Sequence, residues 1–406
     1  MNKKKISIIK IKNNEIERAV FKALDLIDAE SLFNKDAMRI VIKPNILMSK
    51  EPERAVTTHP EIVRSMIKWL KNHNQNDIIV AESSGTSSPG ATEKAFEGSG
   101  IKKICEEENV NWTPFEKTER KKYEIKNPLV LEQIVSSPLL EEADLIINIP
   151  KIKTHWQTLL TCCIKNMFGT LILGNKAKTH ARFSTRDAFS SALADIYSVS
   201  NPQLTVIDGY LCQEGKGPSK GDIVKLDLIL AGFDGVALDA AVCKIIGLDP
   251  KNVKYIDKAA EKNLGTSDIT KIQFLGEDIK NISRKFKIPR KRPVSVPLPS
   301  WLADYMGNVV FRATVRFDPN KCKLCSTCWE NCPGNAITPP EVIKKGNTPN
   351  WDRKKCIFCY CCAELCPYEA VDFKINYAKN FLFSWAGVFF LVIIGIIFGF
   401  LLWILL

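Results

Sequence analysis

The cysteine-rich stretch of residues 322–366 constrains the fold more than any other feature of the sequence. Nine of the fourteen cysteines lie there, and eight of them form two copies of the pattern C-x-x-C-x-x-C-x-x-x-C-P. The copies consist of Cys322, Cys325, Cys328 and Cys332, followed by Pro333, and of Cys356, Cys359, Cys362 and Cys366, followed by Pro367. Closely spaced thiolates are metal ligands, so we expect a small domain organised around metal centres.

The doubled pattern favours iron–sulfur clusters over the alternative, a zinc site. Zinc takes four ligands and would leave the third cysteine of each triplet unused. Three closely spaced thiolates instead bind three irons of one [4Fe–4S] cube, and the fourth, displaced by the proline turn, reaches the other cube. One predicted cluster therefore takes Cys322, Cys325, Cys328 and Cys366, and the other takes Cys356, Cys359, Cys362 and Cys332.

These residues resemble the bacterial-type two-cluster ferredoxin. The resemblance implies a small α+β domain over residues 316–376 with two [4Fe–4S] clusters that carry electrons one at a time. Cys361 is the ninth cysteine of the stretch, and we interpret it as a buried thiol lining the second cluster. The other five cysteines lie in apolar or helical surroundings typical of buried thiols, which favours a reducing compartment.

Residues 1–283 alternate between short β-branched runs and longer amphipathic stretches. The predicted strands are 6–9, 39–42, 77–81, 144–149, 204–207 and 227–231, and the predicted helices are 15–29, 60–71, 92–107, 185–198 and 235–246. Such alternation requires crossover connections. The sequence therefore predicts an α/β domain with a largely parallel sheet and helices on both faces.

Positive charge accumulates between the two predicted domains. The formal net charge of the chain is +12, and residues 284–315 combine a basic run from Arg284 to Arg292 with four prolines. We predict an extended linker there. A solvated linker, contact with an anionic membrane surface and nucleic-acid binding are the alternatives. Because no aromatic residue interleaves the arginines in the pattern that stacks bases, and a predicted transmembrane segment follows, the sequence favours the membrane surface over nucleic acid.

An apolar segment at residues 380–406 predicts a C-terminal transmembrane helix. Residues 381–406 contain no charged side chain and one polar one, Ser384. As a helix they would span about 39 Å, which exceeds the hydrocarbon thickness of a bilayer. Lys374 and Lys379 precede the segment, so we expect the bulk of the chain on the cytoplasmic side. Gly395 and Gly399 would allow two such helices to pair, and a homodimer is one prediction.

Polar side chains gather where the predicted strands of the α/β domain end, at the edge that binds ligands in such sheets. The predicted catalytic group consists of Lys153, His155, Lys165, Asn166, Glu82, Asp208 and Glu214. The predicted cofactor- or ligand-binding group consists of Lys43, Asn45, His59, Gly215 and Gly217. Together they predict a site for an anionic ligand, in which histidines and carboxylates move protons. Solvated lysines, a helix N-cap at His59 and a turn at Asp208-Gly209 are the structural alternatives.

The sequence segments that contain these residues resemble the domain of unknown function family 362, whose members often carry such a ferredoxin module. The resemblance covers residues 38–265, through Lys43-Pro44-Asn45, residues 150–155, residues 165–169, residues 208–218 and residues 234–239. A more distant similarity is to the N-terminal domain of lactate racemase. The family implies no assigned reaction, so a further cofactor in the α/β domain is left undefined.

The sequence therefore predicts a membrane-anchored iron–sulfur protein. In the main hypothesis, two [4Fe–4S] clusters serve electron transfer or oxidoreductase activity at an anionic-ligand pocket, with a redox partner protein. One alternative is a redox-neutral isomerase of the racemase type. The other is a non-enzymatic electron-relay and binding module of a membrane complex.

Overall fold

The computed structural model describes residues 3–289 and 314–374, apart from residues 36, 87, 173, 184 and 358. Residues 290–313 of the predicted linker and the predicted membrane helix at 380–406 lie outside the described residues. Within the described ranges, no helix combines the length and apolar composition that a membrane crossing requires.

The strands of the first described range alternate with helices, as predicted. They are β1 (Lys4–Lys10), β2 (Ile40–Pro44), β3 (Ile78–Glu82), β4 (Asn111–Pro114), β5 (Lys121–Glu124), β6 (Gln133–Ser136), β7 (Leu145–Ile149), β8 (Lys151–His155), β9 (Leu159–Thr161), β10 (Leu204–Glu214), β11 (Asp222–Gly232) and β12 (Ile272–Gly276). β2, β3 and β7 are buried along their whole length, which explains their nearly continuous apolar sequences.

One large sheet organises this range in the order β12-β1-β11-β10-β7-β2-β3-β4, with β8 beside β10 and β9 beside β8. β10, β7, β2, β3 and β4 are parallel neighbours, and β12 is parallel to β1. β11 runs antiparallel between β1 and β10, and β9 runs antiparallel to β8. The predicted largely parallel sheet is therefore confirmed, with two reversals that arise from the hairpins β8–β9 and β10–β11.

Helices cover both faces of the sheet. Those of this range are α1 (Ile16–Leu26), α2 (Pro60–Asn72), α3 (Ala91–Gly98), α4 (Ile101–Glu107), α5 (Leu139–Glu142), α6 (Cys163–Asn166), α7 (Asn175–Arg182), α8 (Arg186–Ser200), α9 (Gly235–Ile245), α10 (Lys254–Glu261) and α11 (Ile279–Ile282). α1, α2 and α4 contribute to the apolar core on one face, and α6, α8, α9 and α10 to the core on the other.

Two local differences from the sequence prediction have clear causes. The helix predicted at residues 92–107 is divided into α3 and α4 at Gly100, whose φ of +76° is accessible to glycine at little cost. Lys151, Lys153 and His155, expected in a loop, lie in β8 because this segment finds backbone partners in β10 and β9. The strand fixes the direction of all three side chains.

The second described range folds into a small α+β unit, which we call the ferredoxin module (residues 314–374). β13 (Thr314–Phe317) pairs antiparallel with β16 (Val371–Lys374), and β14 (Ile337–Thr338) pairs with β15 (Asn350–Trp351). Two one-turn helices, α12 (Thr327–Glu330) and α13 (Cys361–Glu364), carry the third cysteine of each triplet. A small core that includes Val315, Ala363, Ala370 and Val371 holds the two halves together.

Candidate functional site

A cavity of about 100 Å³ lies at the carboxyl edge of the large sheet, beside β2. From β2 the chain extends the sheet through β3 and β4, and then returns to the other side of β2 with β7. Open parallel sheets bind ligands at such reversals of strand order. The α/β domain forms most of the wall, and residues 331, 361, 364 and 365 of the ferredoxin module close it. We call this space the interdomain cavity.

Lys153 lies in the wall of the interdomain cavity with its ammonium group held by the protein. Nζ donates to Oδ1 of Asn45 at 2.7 Å and to the carbonyl oxygen of Val56 at 2.8 Å. Burial lowers the pKa of Lys153 to about 7, and the positive charges of Lys165 and Lys151 act in the same direction. Near neutral pH, Lys153 therefore exists in charged and neutral forms, as a proton-transferring group requires.

A chain of side-chain amides extends from Lys153 into the domain. Because an ammonium group can only donate, Asn45 must turn Oδ1 towards Lys153, and its Nδ2 then donates to Oδ1 of Asn166 at 2.8 Å. Nδ2 of Asn166 donates to Oδ1 of Asn148 at 2.7 Å, and Asn148 donates to the carbonyl oxygen of Cys163. The orientation of each amide is thus fixed by its neighbour, which makes this wall rigid.

A buried ion pair lies beneath the cavity floor. Nζ of Lys43, at the end of β2, is 2.6 Å from Oε2 of Glu82, at the end of β3, and both side chains are almost fully buried. Burial lowers the pKa of Lys43, although the attraction of Glu82 opposes this shift. Gly169 covers the pair, and a Cβ atom there would lie 2.2 Å from Oε1 of Glu82.

Lys165 brings a positive charge to the cavity and has no polar partner in the described part of the chain. Among the described residues, its recorded contacts are the rings of Phe168 and Phe189, whose centroids lie 5.6 and 5.8 Å from Nζ. Burial lowers the pKa of Lys165, while the carboxylate of Glu364 opposes the shift. A cation held over apolar rings at the edge of a cavity can neutralise an anionic ligand.

Helix α7 adds Lys176 and His180, which lie one helical turn apart on the face that borders the cavity. Nζ of Lys176 donates to the carbonyl oxygens of Ser83 and Ser84, and burial lowers its pKa to about 8. The imidazole of His180 stacks on Phe189, and burial lowers its pKa to about 3. His180 is therefore neutral at physiological pH.

His155 presents a defined ring nitrogen to the cavity. The backbone N–H groups of Gln157 and Thr158 donate to Nδ1 at 3.1 and 3.3 Å. Burial holds the pKa of His155 well below its usual value, so the ring is neutral. The proton of the neutral ring must then sit on Nε2, which becomes a hydrogen-bond donor at the cavity.

The ferredoxin module supplies the remaining wall through α13, the residue that follows it, and Asn331 at the end of α12. Cys361, Glu364 and Leu365 all border the interdomain cavity. Oε1 of Glu364 lies 3.3 Å from Nε2 of His155. Burial raises the pKa of Glu364 to about 7, although Lys165 and Lys153 oppose the shift.

Contacts around the cavity hold the two domains together. Arg54 and Glu369 form an ion pair with a 2.7 Å separation, and Nζ of Lys50 donates to the carbonyl oxygen of Pro367. The ring of Trp156 stacks on Tyr360 with an interplanar angle of 13°. Met48 and Val56 form an apolar cluster with Cys361 and Leu365. These contacts join the two domains around the interdomain cavity.

Two smaller cavities lie inside the ferredoxin module, and four cysteines of the predicted grouping border each. Cys322, Cys325, Cys328 and Cys366 surround one of them, and Cys356, Cys359, Cys362 and Cys332 surround the other. Backbone N–H groups of Ala336 and Ala370 donate to Sγ of Cys332 and Cys366 at 3.2 and 3.3 Å. Converging thiols, apolar walls and N–H···S contacts fit [4Fe–4S] clusters, which supply single electrons when bound. Ligation by these cysteines stays a prediction.

Cys361 occupies a different position from the one expected. It borders the interdomain cavity and is not among the residues around either cysteine-lined cavity. Its covalent neighbour Cys362 and the nearby Cys359 do border the second of these. The backbone from residue 359 to 362 therefore separates the predicted second cluster from the interdomain cavity.

The interdomain cavity brings together only part of the predicted site. Lys153, His155, Lys165, Asn166, Glu82 and Asn45 border it, and Lys43 lies directly behind Glu82. Asp208 does not border it: its carboxylate accepts from Nζ of Lys151 and from the backbone N–H of His59, both at 2.7 Å. These contacts fix the start of α2, for which His59 is the N-cap residue.

Glu214, Gly215 and Gly217 also lie outside the cavity lining. Glu214 accepts from the backbone N–H of Lys287, and Gly215 bonds to the same residue, so both hold the segment that follows the α/β domain. A Cβ atom at Gly217 would lie 2.2 Å from the carbonyl oxygen of Thr154. This close approach explains the glycine and brings the next residue, Pro218, to the cavity.

Sequence reasoning missed several residues of the cavity. Lys176 and His180 are four residues apart in a polar helix, and that spacing could have indicated a shared face. Glu364 lies within the second cysteine motif, and its sequence neighbours did not indicate that its side chain contacts another domain. The apolar residues Leu47, Phe168 and Leu365 were not distinguishable from ordinary core.

Comparison with known sequences agrees with this architecture. Residues 40–244 match the family described as domain of unknown function (DUF362), and residues 321–370 match a 4Fe–4S dicluster domain. The thylakoid-associated protein sll1697 of Synechocystis sp. is 27% identical over 235 residues, which cover 57% of this chain and 70% of that protein.

Similar solved structures include the lactate racemase apoprotein from Thermoanaerobacterium thermosaccharolyticum, with 15% identity and a TM-score of 0.37. That match covers 57% of this chain and 54% of the racemase. A Thermotoga maritima protein matches with 14% identity and a TM-score of 0.35, over 62% and 58% of the two chains. The chain thus spans a little over half the length of these proteins, and such TM-scores carry no argument about function. The family match covers more than half of the chain, which therefore belongs to the DUF362 family and carries a 4Fe–4S ferredoxin domain after it.

Proposed function

We propose that this protein is an iron–sulfur oxidoreductase that acts on a small anionic molecule bound in the interdomain cavity. One observation carries the proposal: the cavity wall is shared between lysines of the α/β domain and helix α13 of the ferredoxin module. A ligand there would be separated from the predicted second cluster site by the backbone between Cys359 and Cys362. Electron carriers and substrates must lie close together, and this arrangement meets that requirement.

The charge of the lining supports an anionic ligand. Lys153, Lys165 and Lys176 border the cavity, whereas the carboxylate of Glu82 is already paired with Lys43. Glu364 is the other carboxylate in the lining. The cationic side chains therefore outnumber the unpaired carboxylates, and buried cations require a counter-charge. A carboxylate or another small anion would provide it.

The residues have distinct roles in this proposal. Lys165, which has no polar partner among the described residues, binds the anionic group. His155 donates from Nε2 and orients a second polar atom of the ligand. Lys153 takes up or releases a proton, because its pKa of about 7 allows both states near neutral pH. Phe168, Leu47 and Leu365 exclude water and strengthen these interactions.

We also propose that the ferredoxin module binds two [4Fe–4S] clusters, one in each cysteine-lined cavity, and that a redox partner protein delivers the electrons. The grouping of four cysteines around each cavity supports this count. Iron and sulfide analysis, with EPR spectroscopy of the reduced protein, tests it. Two interacting cluster signals are expected, and a single signal or bound zinc would contradict the proposal.

Replacement of Lys165 by methionine tests the anion site. We expect K165M to retain iron and the visible absorption spectrum, but to lose a co-purifying anion in native mass spectrometry after anaerobic isolation. Removal of a charge-assisted hydrogen bond should weaken binding about tenfold or more. K94M, at an exposed position of α3, is the matched control and should behave like the wild type. Equal ligand occupancy in K165M and wild type would refute the site assignment.

The same experiment separates the other hypotheses for this chain. A bound ligand that is converted without a net change in oxidation state would indicate a redox-neutral isomerase. Intact clusters with no small molecule in wild type would indicate a relay and binding module.

We propose further that residues 381–406 anchor the chain in a membrane, with its bulk on the cytoplasmic side. The uncharged sequence of this segment and the lysines before it support the proposal, as does a relative named as thylakoid-associated. The full chain should stay with membranes during alkaline carbonate extraction, whereas a variant ending at residue 379 should be released. Release of the full chain would contradict the proposal.

A further inference from the structure

Glu364 of the ferredoxin module is a buried carboxylate with an incomplete set of hydrogen bonds. Its side chain borders the interdomain cavity and the residue is 8% exposed. Among the described residues, Oε1 has no hydrogen-bond partner. Nε2 of His155 lies 3.3 Å away, but the two groups are not aligned for a hydrogen bond. A buried carboxylate oxygen in this state needs a donor from outside the protein.

Among the described residues, the neighbouring lysines do not donate a hydrogen bond to Oε1 of Glu364. Lys153 directs its recorded hydrogen bonds to Asn45 and Val56, and Lys176 directs its own to Ser83 and Ser84. Lys165 makes ring contacts only among the described residues. These cations make the region of Glu364 electrostatically favourable for a carboxylate, yet among the described residues none of them donates a hydrogen bond to Oε1.

Two further polar atoms of residues that line the cavity are also buried without a hydrogen-bond partner. Nδ1 of His180 and Oγ1 of Thr161 are buried and have no hydrogen-bond partner among the described residues. His180 belongs to α7, Thr161 to β9 and Glu364 to α13, so the three atoms come from separate elements around one space. Their convergence indicates a bound molecule with several polar groups.

We infer that Glu364 contacts the ligand directly, and that the ligand carries a hydroxyl or ammonium group in addition to its anionic group. The inference rests on the proposed function, since it assigns the ligand of the same cavity. Lys165 would receive the anionic group, and Oε1 of Glu364 would accept a hydrogen bond from the donor. The ferredoxin module then takes part in substrate recognition as well as in electron transfer.

The position of Glu364 suits it to distinguish ligands that carry a hydrogen-bond donor from ligands that do not. It ends the one-turn helix α13, between Cys362 and Cys366, and its backbone N–H donates to the carbonyl oxygen of Tyr360 at 3.0 Å. The side chain therefore projects from a short, constrained segment. A ligand without a donor would leave the carboxylate oxygen unpaired, and sites of this kind reject such analogues at least tenfold.

Matched pairs of acids test the inference. Binding of acetate, glycolate and glycine, and of succinate, malate and aspartate, is measured by calorimetry on the full chain purified anaerobically. In wild type, at least one donor-bearing acid should bind tenfold or more tightly than its unsubstituted partner. E364M should abolish that ratio and retain iron, whereas E341Q, at an exposed position of the same module, should preserve it.

The outcomes separate this inference from the proposed function. Equal affinities within each set in wild type, or a ratio preserved in E364M, would overturn the role of Glu364 and leave the anion site intact. Absence of binding by every acid, together with no effect of K165M on ligand occupancy, would overturn the proposed function itself. If E364M loses iron, the test uses E364Q in its place. E364Q should reduce the preference for glycine over acetate. A preference unchanged in E364Q would again overturn the inference.

Discussion

The ion pair between Lys43 and Glu82 allows a quantitative test of how the cavity floor is held. The two groups are 2.6 Å apart, and their side chains are 0% and 3% exposed. Replacement of Glu82 by glutamine removes the counter-charge of Lys43 but retains an oxygen for the backbone N–H of Ser83, which donates to Oε1 of Glu82 at 2.8 Å. E82Q therefore tests the loss of the negative charge separately from the loss of this hydrogen bond.

The expected cost follows from the burial of both partners. Loss of one partner of a buried ion pair leaves an uncompensated charge and destabilises a protein by about 3–5 kcal/mol. Since each 1.4 kcal/mol is about a tenfold change in an equilibrium constant, the slowest amides of β2 and β3 should exchange roughly 10²- to 4 × 10³-fold faster. K43M/E82Q, which buries neither charge, should cost less than E82Q.

Hydrogen–deuterium exchange with mass spectrometry measures these amides in the intact, anaerobically purified chain. The control is E97Q, which breaks the exposed pair between Lys102 and Glu97 and should change the rates by less than about threefold. Rates in E82Q that match those of E97Q would refute the reasoning. A double variant less stable than E82Q would show that the charge of Lys43 is not the cause.

Four other predictions follow from the site. Anion affinity should fall as the pH rises from 6 to 8, because Lys153, with a pKa of about 7, loses its charge in that interval; calorimetry should give a weaker dependence in K153M. Because the pKa of Lys153 in the folded protein lies below the ordinary value of lysine, the free energy of unfolding should rise with pH from about 7 to 10.5. Denaturation at several pH values measures this dependence, and a constant stability would contradict the pKa assignment. C361A should retain its iron whereas C359A should lose part of it, by metal analysis; equal loss would place Cys361 among the ligands. W156A removes the stacking on Tyr360 and should accelerate exchange in α13 about two- to tenfold, and unchanged exchange would show that this contact does not hold the domains together.

The sequence was most informative where a pattern is local. The cysteine grouping follows from spacing within two short segments, because a few covalent bonds limit which thiols can meet. The buried strands β2, β3 and β7 were likewise recognisable, since a strand covered on both faces is usually a nearly continuous apolar run. Helix α2 was predicted almost to its ends for the same reason, as Pro60 marks its first turn and its apolar residues follow the helical period.

The sequence was less informative about which polar residues share a site. Lys43 and Asn45, Glu82, Lys153 and Asn166 come together although more than a hundred residues separate the first from the last. Their common position at strand ends suggested this. Asp208 and His59 have the same kind of position but serve to fix the start of α2, and only the hydrogen bond between Asp208 and the backbone of His59 distinguishes the two cases.

By itself, the sequence determined the α/β class, the ferredoxin module and a polar edge on the sheet, because burial patterns and ligand spacing are properties of contiguous residues. The tertiary structure alone decided that the ferredoxin module closes the cavity and that Glu364 enters it. That outcome depends on contacts between surfaces far apart in the chain, such as Trp156 on Tyr360 and Met48 against Leu365. No periodicity or motif encodes such contacts, since their energy exists only when both surfaces have already formed.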